Sequence, residues 1–294
     1  MTTATLPAAQ AGTITIGDDL TVNRIGYGAM RITGNGIWGP PADVPAALAT
    51  LRGAVELGVN FIDTADSYGP DVSEELIAQA LYPYPKDLTI ATKAGWTRHG
   101  PGVWQHNASP AHIEQAIEGS LKRLRLERID VYQLHVPDPA VSFDASMETL
   151  ARLKEQGKIR HVGLSNVTLE HIHRAEKIIS IVSVQNRYSF SDREWDFVVD
   201  YCEGKHIAFL PWGPMAQGRK ANAAVEKIAA ARNVSTAVVS LAWLLRRSPF
   251  VLPIPGTSSV KHLEENVSAA AFRLSDAEFA ELAAVMPKPY WLRG

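Results

Sequence analysis

Asp63, Tyr68, Lys93 and His135 are the side chains whose types and placing could do chemistry together. Asp63 closes the short apolar run Asn60-Phe61-Ile62-Asp63, and Tyr68 follows in a loop bounded by Gly69. Lys93 ends the run Leu88-Thr89-Ile90-Ala91-Thr92-Lys93, and His135 ends Ile129-Asp130-Val131-Tyr132-Gln133-Leu134-His135. A phenol with an ordinary pKa of about 10 is a poor proton donor at neutral pH. A nearby ammonium stabilises the phenolate and lowers that pKa, and a carboxylate keeps the ammonium charged and in place. An imidazole within reach would hydrogen-bond a carbonyl oxygen and orient the substrate. Such a set suits protonation of an alkoxide as a carbonyl accepts hydride. It does not suit peptide hydrolysis, because no Ser/His/Asp arrangement accompanies it. Each residue also has a plainer role open to it: a strand-end Asp–Tyr hydrogen bond, a lysine reaching for solvent, a satisfied buried histidine. Those roles leave unexplained three ionisable groups at the same end of three consecutive runs, where polar groups are costly unless paired.

The elements that must position them recur along the chain as an amphipathic helix, a short apolar strand and a loop. An alternating segment at 13–24, turning at Gly17-Asp18-Asp19, predicts an N-terminal hairpin. Strands are expected at 25–28, 59–63, 88–93, 129–135, 159–165, 181–185, 206–211 and 250–254. Helices are expected at 43–57, 72–81, 110–125, 144–156, 168–178, 192–203, 222–232 and 235–246. Strands alternating with helices imply parallel pairing and right-handed crossovers. Eight such units predict an α/β fold, a (β/α)8 TIM barrel with extra C-terminal helices. In such barrels ligands meet the C-terminal ends of the strands, where the four residues stand.

The 294 residues show no linker-like composition and read as one domain over 1–294, with 1–12 expected to be flexible. A 46% hydrophobic share can bury a sizeable core, and a net charge of −2 gives no reason to expect nucleic acid or an anionic membrane surface as partner. One cysteine, Cys202, excludes an intramolecular disulfide framework, and no metal cluster is expected. Residues 1–12 lack a basic segment followed by an apolar run, and no apolar stretch approaches a membrane span. The expected compartment is the cytoplasm, and the expected state a monomer or weak homo-oligomer.

With these motifs in hand, the chain resembles the aldo-keto reductase superfamily over nearly its whole length. The resemblance rests on Gly26-Tyr27-Gly28-Ala29-Met30, Asp63 through Gly69, Thr92-Lys93, Gln133-Leu134-His135, Gly163 through Asn166, Val184-Gln185 and Ile254 through Asn266. It implies a catalytic tetrad: Tyr68 as general acid/base, Lys93 and Asp63 tuning it, and His135 orienting the carbonyl. It also implies an NADPH (NADP+) site, with Ser165, Asn166 and Gln185 at the nicotinamide carboxamide and Trp212 stacked on the ring. Gly28, Met30, Gly213, Pro214, Met215 and Gly256 are expected alongside, and Thr257, Ser258, Ser259, His262, Glu265 and Asn266 at the adenosine end. Where many members carry a Lys-Ser pair and an Arg for the 2′-phosphate, this chain has Gly256-Thr257 and His262. Hydroxyls before a helix, with Lys261 in its first turn, can nevertheless hold a phosphate. Within the superfamily the chain is most similar to bacterial NADPH-dependent pyridoxal reductases, through Asn23-Arg24-Ile25, Trp38-Gly39-Pro40-Pro41, Ala80 through Tyr84, and Asp87 through Ile90.

That likeness makes a pyridoxal-type or other aromatic aldehyde the expected substrate, with Trp38 and Trp96 in the pocket and Met30, Tyr290 and Trp291 as further lining candidates. A bulkier ketone or a sugar is the alternative within the superfamily. Two further readings are a barrel aldolase using Lys93 as Schiff-base nucleophile, which lies outside the superfamily, and a nucleotide-sensing binding subunit with slow turnover, which keeps the superfamily's barrel and cofactor site.

Overall fold

Short β-branched runs set between amphipathic helices fold here as parallel strands, in a computed structural model that describes residues 5–215 and 223–285. A hairpin, β1 (Thr13–Ile16) and β2 (Leu20–Asn23), comes first, followed by β3 (Tyr27–Gly28) and α1 (Val44–Glu56). Then follow β4 (Phe61–Asp63), α2 (Val72–Leu81) and β5 (Thr89–Ala94). A second hairpin, β6 (Trp96–Gly100) and β7 (Val103–His106), precedes α3 (Pro110–Leu124). The alternation resumes with β8 (Ile129–Leu134), α4 (Phe143–Glu155), β9 (Ile159–Ser165), α5 (Leu169–Glu176), β10 (Ile181–Gln185), α6 (Asp196–Lys205) and β11 (Ala208–Phe209). The described chain ends in helices α7 (Ala223–Arg232), α8 (Thr236–Arg247), α9 (Val260–Ser268) and α10 (Asp276–Ala283).

Seven strands form one parallel sheet in the order β11-β10-β9-β8-β5-β4-β3. Strands β4, β5 and β10 are buried along their whole length, as parallel strands covered on both faces must be. Helix starts are fixed locally: Ser109 accepts a hydrogen bond from His112 N with Pro110 next to it, and Asp43 caps α1 in the same way.

The expected eighth strand at 250–254 does not form as a regular strand. Its only ladder contact is an isolated bridge between Phe209 and Val251. The segment still joins both edges of the sheet: Leu252 N donates to Phe209 O at 2.9 Å, and Gly26 N to Pro253 O at 2.9 Å. Pro253 and Pro255 remove two backbone donors, so beyond Leu252 the segment accepts bonds without continuing a ladder. The sheet is therefore a curled parallel sheet with an irregular eighth segment rather than eight regular strands.

The N-terminal hairpin pairs Ile14 with Val22 and Ile16 with Leu20. These four side chains cluster with Phe61, Ala91, Val131, Val182, Ala208 and Leu252, filling the end of the sheet opposite Lys93 and His135. Residues 7–11, expected to be flexible, instead form a 3-10 turn with Ala8 buried and its N–H bonded to Leu57 O at 2.9 Å. The first four residues and the C-terminal stretch with Tyr290 and Trp291 lie outside the described residues.

Candidate active site

A strand turns successive side chains to opposite faces, so residues two apart share one face. On the inner face, Phe61 precedes Asp63, Ala91 precedes Lys93, and Val131 precedes Gln133 and His135. Register aligns them: Asp63 pairs with Ala91, Ala91 with Val131, Lys93 with Gln133, and Gln133 with Gly163. Asp63 is therefore level with Ala91 and Val131, and Lys93 stands one step further along, level with Gln133 and Gly163. The pleat and register thus bring Asp63, Lys93 and His135 to one end of the sheet, and the loop after β4 adds Tyr68.

Lys93 Nζ donates to Asp63 Oδ2 at 2.7 Å, to Thr64 O at 2.7 Å and to the Tyr68 hydroxyl at 3.5 Å. These three acceptors match the three donors of the ammonium. The other Asp63 oxygen accepts from Gln185 Nε2 at 2.8 Å, so Gln185 holds the carboxylate as well as facing the cavity. His135 stands edge-on to the Tyr68 ring, with centroids 5.8 Å apart, and its Nδ1 lies 3.5 Å from Ser67 Oγ. Its carbonyl accepts from Asn166 Nδ2 at 2.9 Å, and Asn166 Oδ1 accepts from Trp212 Nε1 at 3.1 Å. Asn166 adopts a left-handed φ of 56°, which an asparagine tolerates better than most residues.

Burial raises the Tyr68 phenol above its ordinary value, and the pull of Lys93 only partly offsets it. The expected net lowering is thus reversed, because the residue is buried as well as close to an ammonium. Burial works against the Lys93 charge, but Asp63 and Tyr68 outweigh it and hold the ammonium above the usual lysine range. Burial pushes the Asp63 carboxyl up against the opposing effects of Lys93 and Gln185. His135 is driven well below the usual imidazole range, first by burial and then by Lys93, so it is neutral at physiological pH. A protonated phenol beside a neutral imidazole is a pair able to hold and protonate a carbonyl oxygen.

Above these groups opens a cavity of about 620 Å³. Asp63, Tyr68 and His135 form its floor, while Lys93 lies behind them with its ammonium spent on its partners. Ser165, Asn166, Gln185, Trp212, Gly213 and Pro214 line one side, and Gly28, Met30 and Gly256 another. Trp96 also lines it, as expected, but Trp38 stands outside the wall with its ring 5.8 Å from the Arg98 guanidinium. Met215 packs on the hydrophobic core instead of facing the cavity. Thr257, Ser258, Ser259, His262, Glu265 and Asn266 lie beyond it around the start of α9. There Ser259 caps the helix and Thr257 Oγ1 accepts from Ser259 N at 3.1 Å.

Sequence reasoning missed Arg31, Trp104, Arg187, Ser189, Asp192 and Ile254 as lining residues. A helix expected from 192 begins only at Asp196, because Ser189 and Asp192 exchange backbone bonds of 3.0 Å in both directions. That turn brings Asp192 to Arg187 Nε at 3.0 Å. Trp104 had a readable signal. Trp96 and Arg98 alternate before Gly100-Pro101-Gly102, and Trp104 and His106 alternate after it, which is the period of a hairpin.

The sequence matches the aldo/keto reductase family over residues 24–287. It is 50% identical over 277 residues to an uncharacterized oxidoreductase of Schizosaccharomyces pombe, covering 94% of this chain and 90% of the relative. It is 42% identical over 279 residues to pyridoxine 4-dehydrogenase of Escherichia coli, covering 92% and 97%. Among solved structures, a glycerol dehydrogenase from Gluconobacter oxydans superposes with a TM-score of 0.83 at 27% identity, covering 92% of this chain and 94% of that one. An aldo-keto reductase from Klebsiella pneumoniae in complex with NADPH superposes with a TM-score of 0.80 at 26% identity, covering 95% and 96%.

Proposed function

The chain belongs to the aldo/keto reductase family of NAD(P)H-dependent oxidoreductases, and from that premise we propose that it reduces a planar aromatic aldehyde of the pyridoxal type with NADPH. The observation that carries the chemistry is the Tyr68 hydroxyl, which faces the cavity beside neutral His135 with Lys93 Nζ 3.5 Å behind it. Trp96, Trp104 and Trp212 around the same cavity favour a flat, apolar substrate body. The 42% identity to a pyridoxine 4-dehydrogenase points the same way.

The residues present fit the cofactor. Trp212 keeps 37% of its surface exposed at the cavity mouth while its Nε1 is tethered to Asn166, which leaves an anchored indole available for stacking. Ser165, Asn166 and Gln185 beside it supply the donors and acceptors a carboxamide needs. Gly256 lies between this group and the hydroxyls of Thr257, Ser258 and Ser259 at the start of α9, where backbone N–H groups suit a phosphate. When bound, NADPH supplies the hydride to the carbonyl carbon. His135 fixes the carbonyl oxygen, Tyr68 gives it a proton, and Lys93 steadies the phenolate left behind. Asp63, braced by Gln185, keeps the lysine charged throughout. In this reading the seven strands and segment 250–255 serve as the eight staves of a (β/α)8 barrel.

An aldolase reading fits poorly, since a Schiff base needs a free amine at the cavity and the Lys93 ammonium is buried with its donors committed. A polyol or sugar substrate is the second reading, favoured by Arg187, Ser189 and Asp192 in the lining. A panel of pyridoxal, benzaldehyde, glyceraldehyde and a bulky ketone, followed by NADPH absorbance, separates them. The expected order places pyridoxal and benzaldehyde at least tenfold above glyceraldehyde in kcat/KM. Equal or reversed values would overturn the aromatic assignment and leave the family chemistry standing.

A further inference from the structure

Arg98 is 9% exposed, and its guanidinium spends its donors on main-chain carbonyls of three separate segments. Nε donates to Val103 O at 3.1 Å, within the β6–β7 hairpin. Nη1 donates to Ile37 O at 2.8 Å and to Ser67 O at 2.9 Å, and Nη2 to Gly36 O at 2.9 Å and Gly100 O at 3.4 Å. A guanidinium has five N–H donors in a rigid fork, so one side chain joins the hairpin, the loop at 34–39 and the catalytic loop at 64–69. Other bonds run between the same segments: Gly39 N donates to Gly69 O at 2.5 Å, and Gly102 N to Gly36 O at 3.0 Å.

The same group also stacks. Its central carbon lies 3.7 Å from the centroid of Trp104. Trp104 meets Trp96 edge-on at 5.8 Å, and Trp96 meets His135 edge-on at 6.4 Å. On the other branch, Ser67 carries the carbonyl that Arg98 grips, and its hydroxyl lies 3.5 Å from His135 Nδ1. Both routes from Arg98 end at the site: one through the tryptophan wall, the other through the residue before Tyr68.

We propose that Arg98 is a positioning residue that fixes the gap between the Trp96/Trp104 wall and the Tyr68/His135 floor, and thereby selects planar aromatic carbonyls over small aliphatic ones. The selectivity half rests on the reductase reading above; the tethering half does not. Without the fork, the hairpin and the two loops lose their shared anchor, and the slot widens. A small aldehyde held only by Tyr68 and His135 feels this less than a ring that must fill the slot.

Arg98→Met keeps the apolar stem and removes every donor, and Arg98→Lys restores the charge without the fork. In Arg98→Met, hydrogen exchange at the amides of Gly39, Tyr68 and Gly102 is expected to quicken at least tenfold, while amides of β8 stay as in wild type. The ratio of kcat/KM for benzaldehyde to that for propionaldehyde is expected to fall at least tenfold, with the NADPH Kd within about twofold of wild type, and Arg98→Lys is expected to recover only part of the ratio. Unchanged exchange in all three segments would overturn the tether, and this readout holds even if neither aldehyde is turned over. A parallel loss on both aldehydes with a constant ratio would reduce Arg98 to a purely structural role. If wild type itself reduces neither aldehyde, the reductase reading falls and the selectivity half with it, while exchange still decides the tether.

Discussion

The floor and the wall of the cavity are built by different means. Asp63 and His135 on the floor, and Lys93 behind it, sit on or directly after strands whose hydrogen-bonded register fixes their spacing, while Tyr68 follows β4 on a loop. In the wall, Trp96 and Trp104 ride on a two-stranded hairpin outside the main sheet, and Trp212 on a loop. The hairpin ladder even shifts register between Arg98 and Gly100. Asp63, Lys93 and His135 are thus placed by the parallel sheet itself. Wall residues lie outside the register of the main sheet: Trp104 sits in the hairpin ladder against the Arg98 guanidinium, and Trp212 is held by backbone bonds to Asn186 and Tyr188 and by its indole bond to Asn166. In the proposed reading the division suits each part, since proton transfer demands fixed distances and substrate choice a surface that can vary.

Breaking the floor should cost most. Lys93→Met removes the ammonium behind Tyr68, and kcat is expected to fall by about 10²- to 10⁴-fold. It also leaves a buried carboxylate unpaired, so chemical denaturation should show a loss of about 3–5 kcal/mol. Adding Asp63→Asn should restore much of that stability and none of the activity. Recovery of turnover in the double variant would mean that Lys93 acts only as a structural partner.

Asp66 lies in the catalytic loop, and it sharpens the contrast through pH. Burial, reinforced by the nearby Glu74 carboxylate, raises its carboxyl well above the ordinary 3.8. The folded protein thus holds a proton that the unfolded chain has already released. The resulting stability is complete below about pH 3.8 and is lost as pH rises through the raised value. Asp66 Oδ1 is buried without a hydrogen-bond partner, so its ionised form adds a penalty on the order of 1–3 kcal/mol. Asp66→Asn should therefore be more stable than wild type at neutral pH and equal to it in acid. Denaturation midpoints from pH 4 to 8 that run parallel for the two proteins would refute this.

The wall should yield the smallest effect. Trp96→Leu trims one aromatic face, and KM for an aromatic aldehyde should rise about three- to tenfold. The kcat and the folding midpoint should stay near wild type. A large fall in kcat instead would place Trp96 with the floor.

The floor was also the part legible from sequence. Ile129-Asp130-Val131-Tyr132-Gln133-Leu134 is a short, mostly apolar run and forms β8 with the predicted start, and the polar residues closing such runs do meet at one end. The sequence erred where tertiary packing decides. Phe250 through Ile254 looks like a strand by composition, but prolines at 253 and 255 deny it a ladder. Trp38 and Trp104 are equally aromatic in one dimension, but Trp104 lines the cavity while Trp38 stands outside it, on the other side of a shared contact with Arg98 that local sequence does not show. The direction of the Tyr68 shift depends on weighing burial against a cation 3.5 Å away, and burial is not written in the local sequence.

The most direct test of the floor is Tyr68→Phe, which removes one oxygen and leaves the ring in place. NADPH binding, read by fluorescence, should remain within a fewfold of wild type, while single-turnover reduction of an aromatic aldehyde falls by at least about 10²-fold. Reduction at a near wild-type rate would contradict the assignment of Tyr68 as the proton donor.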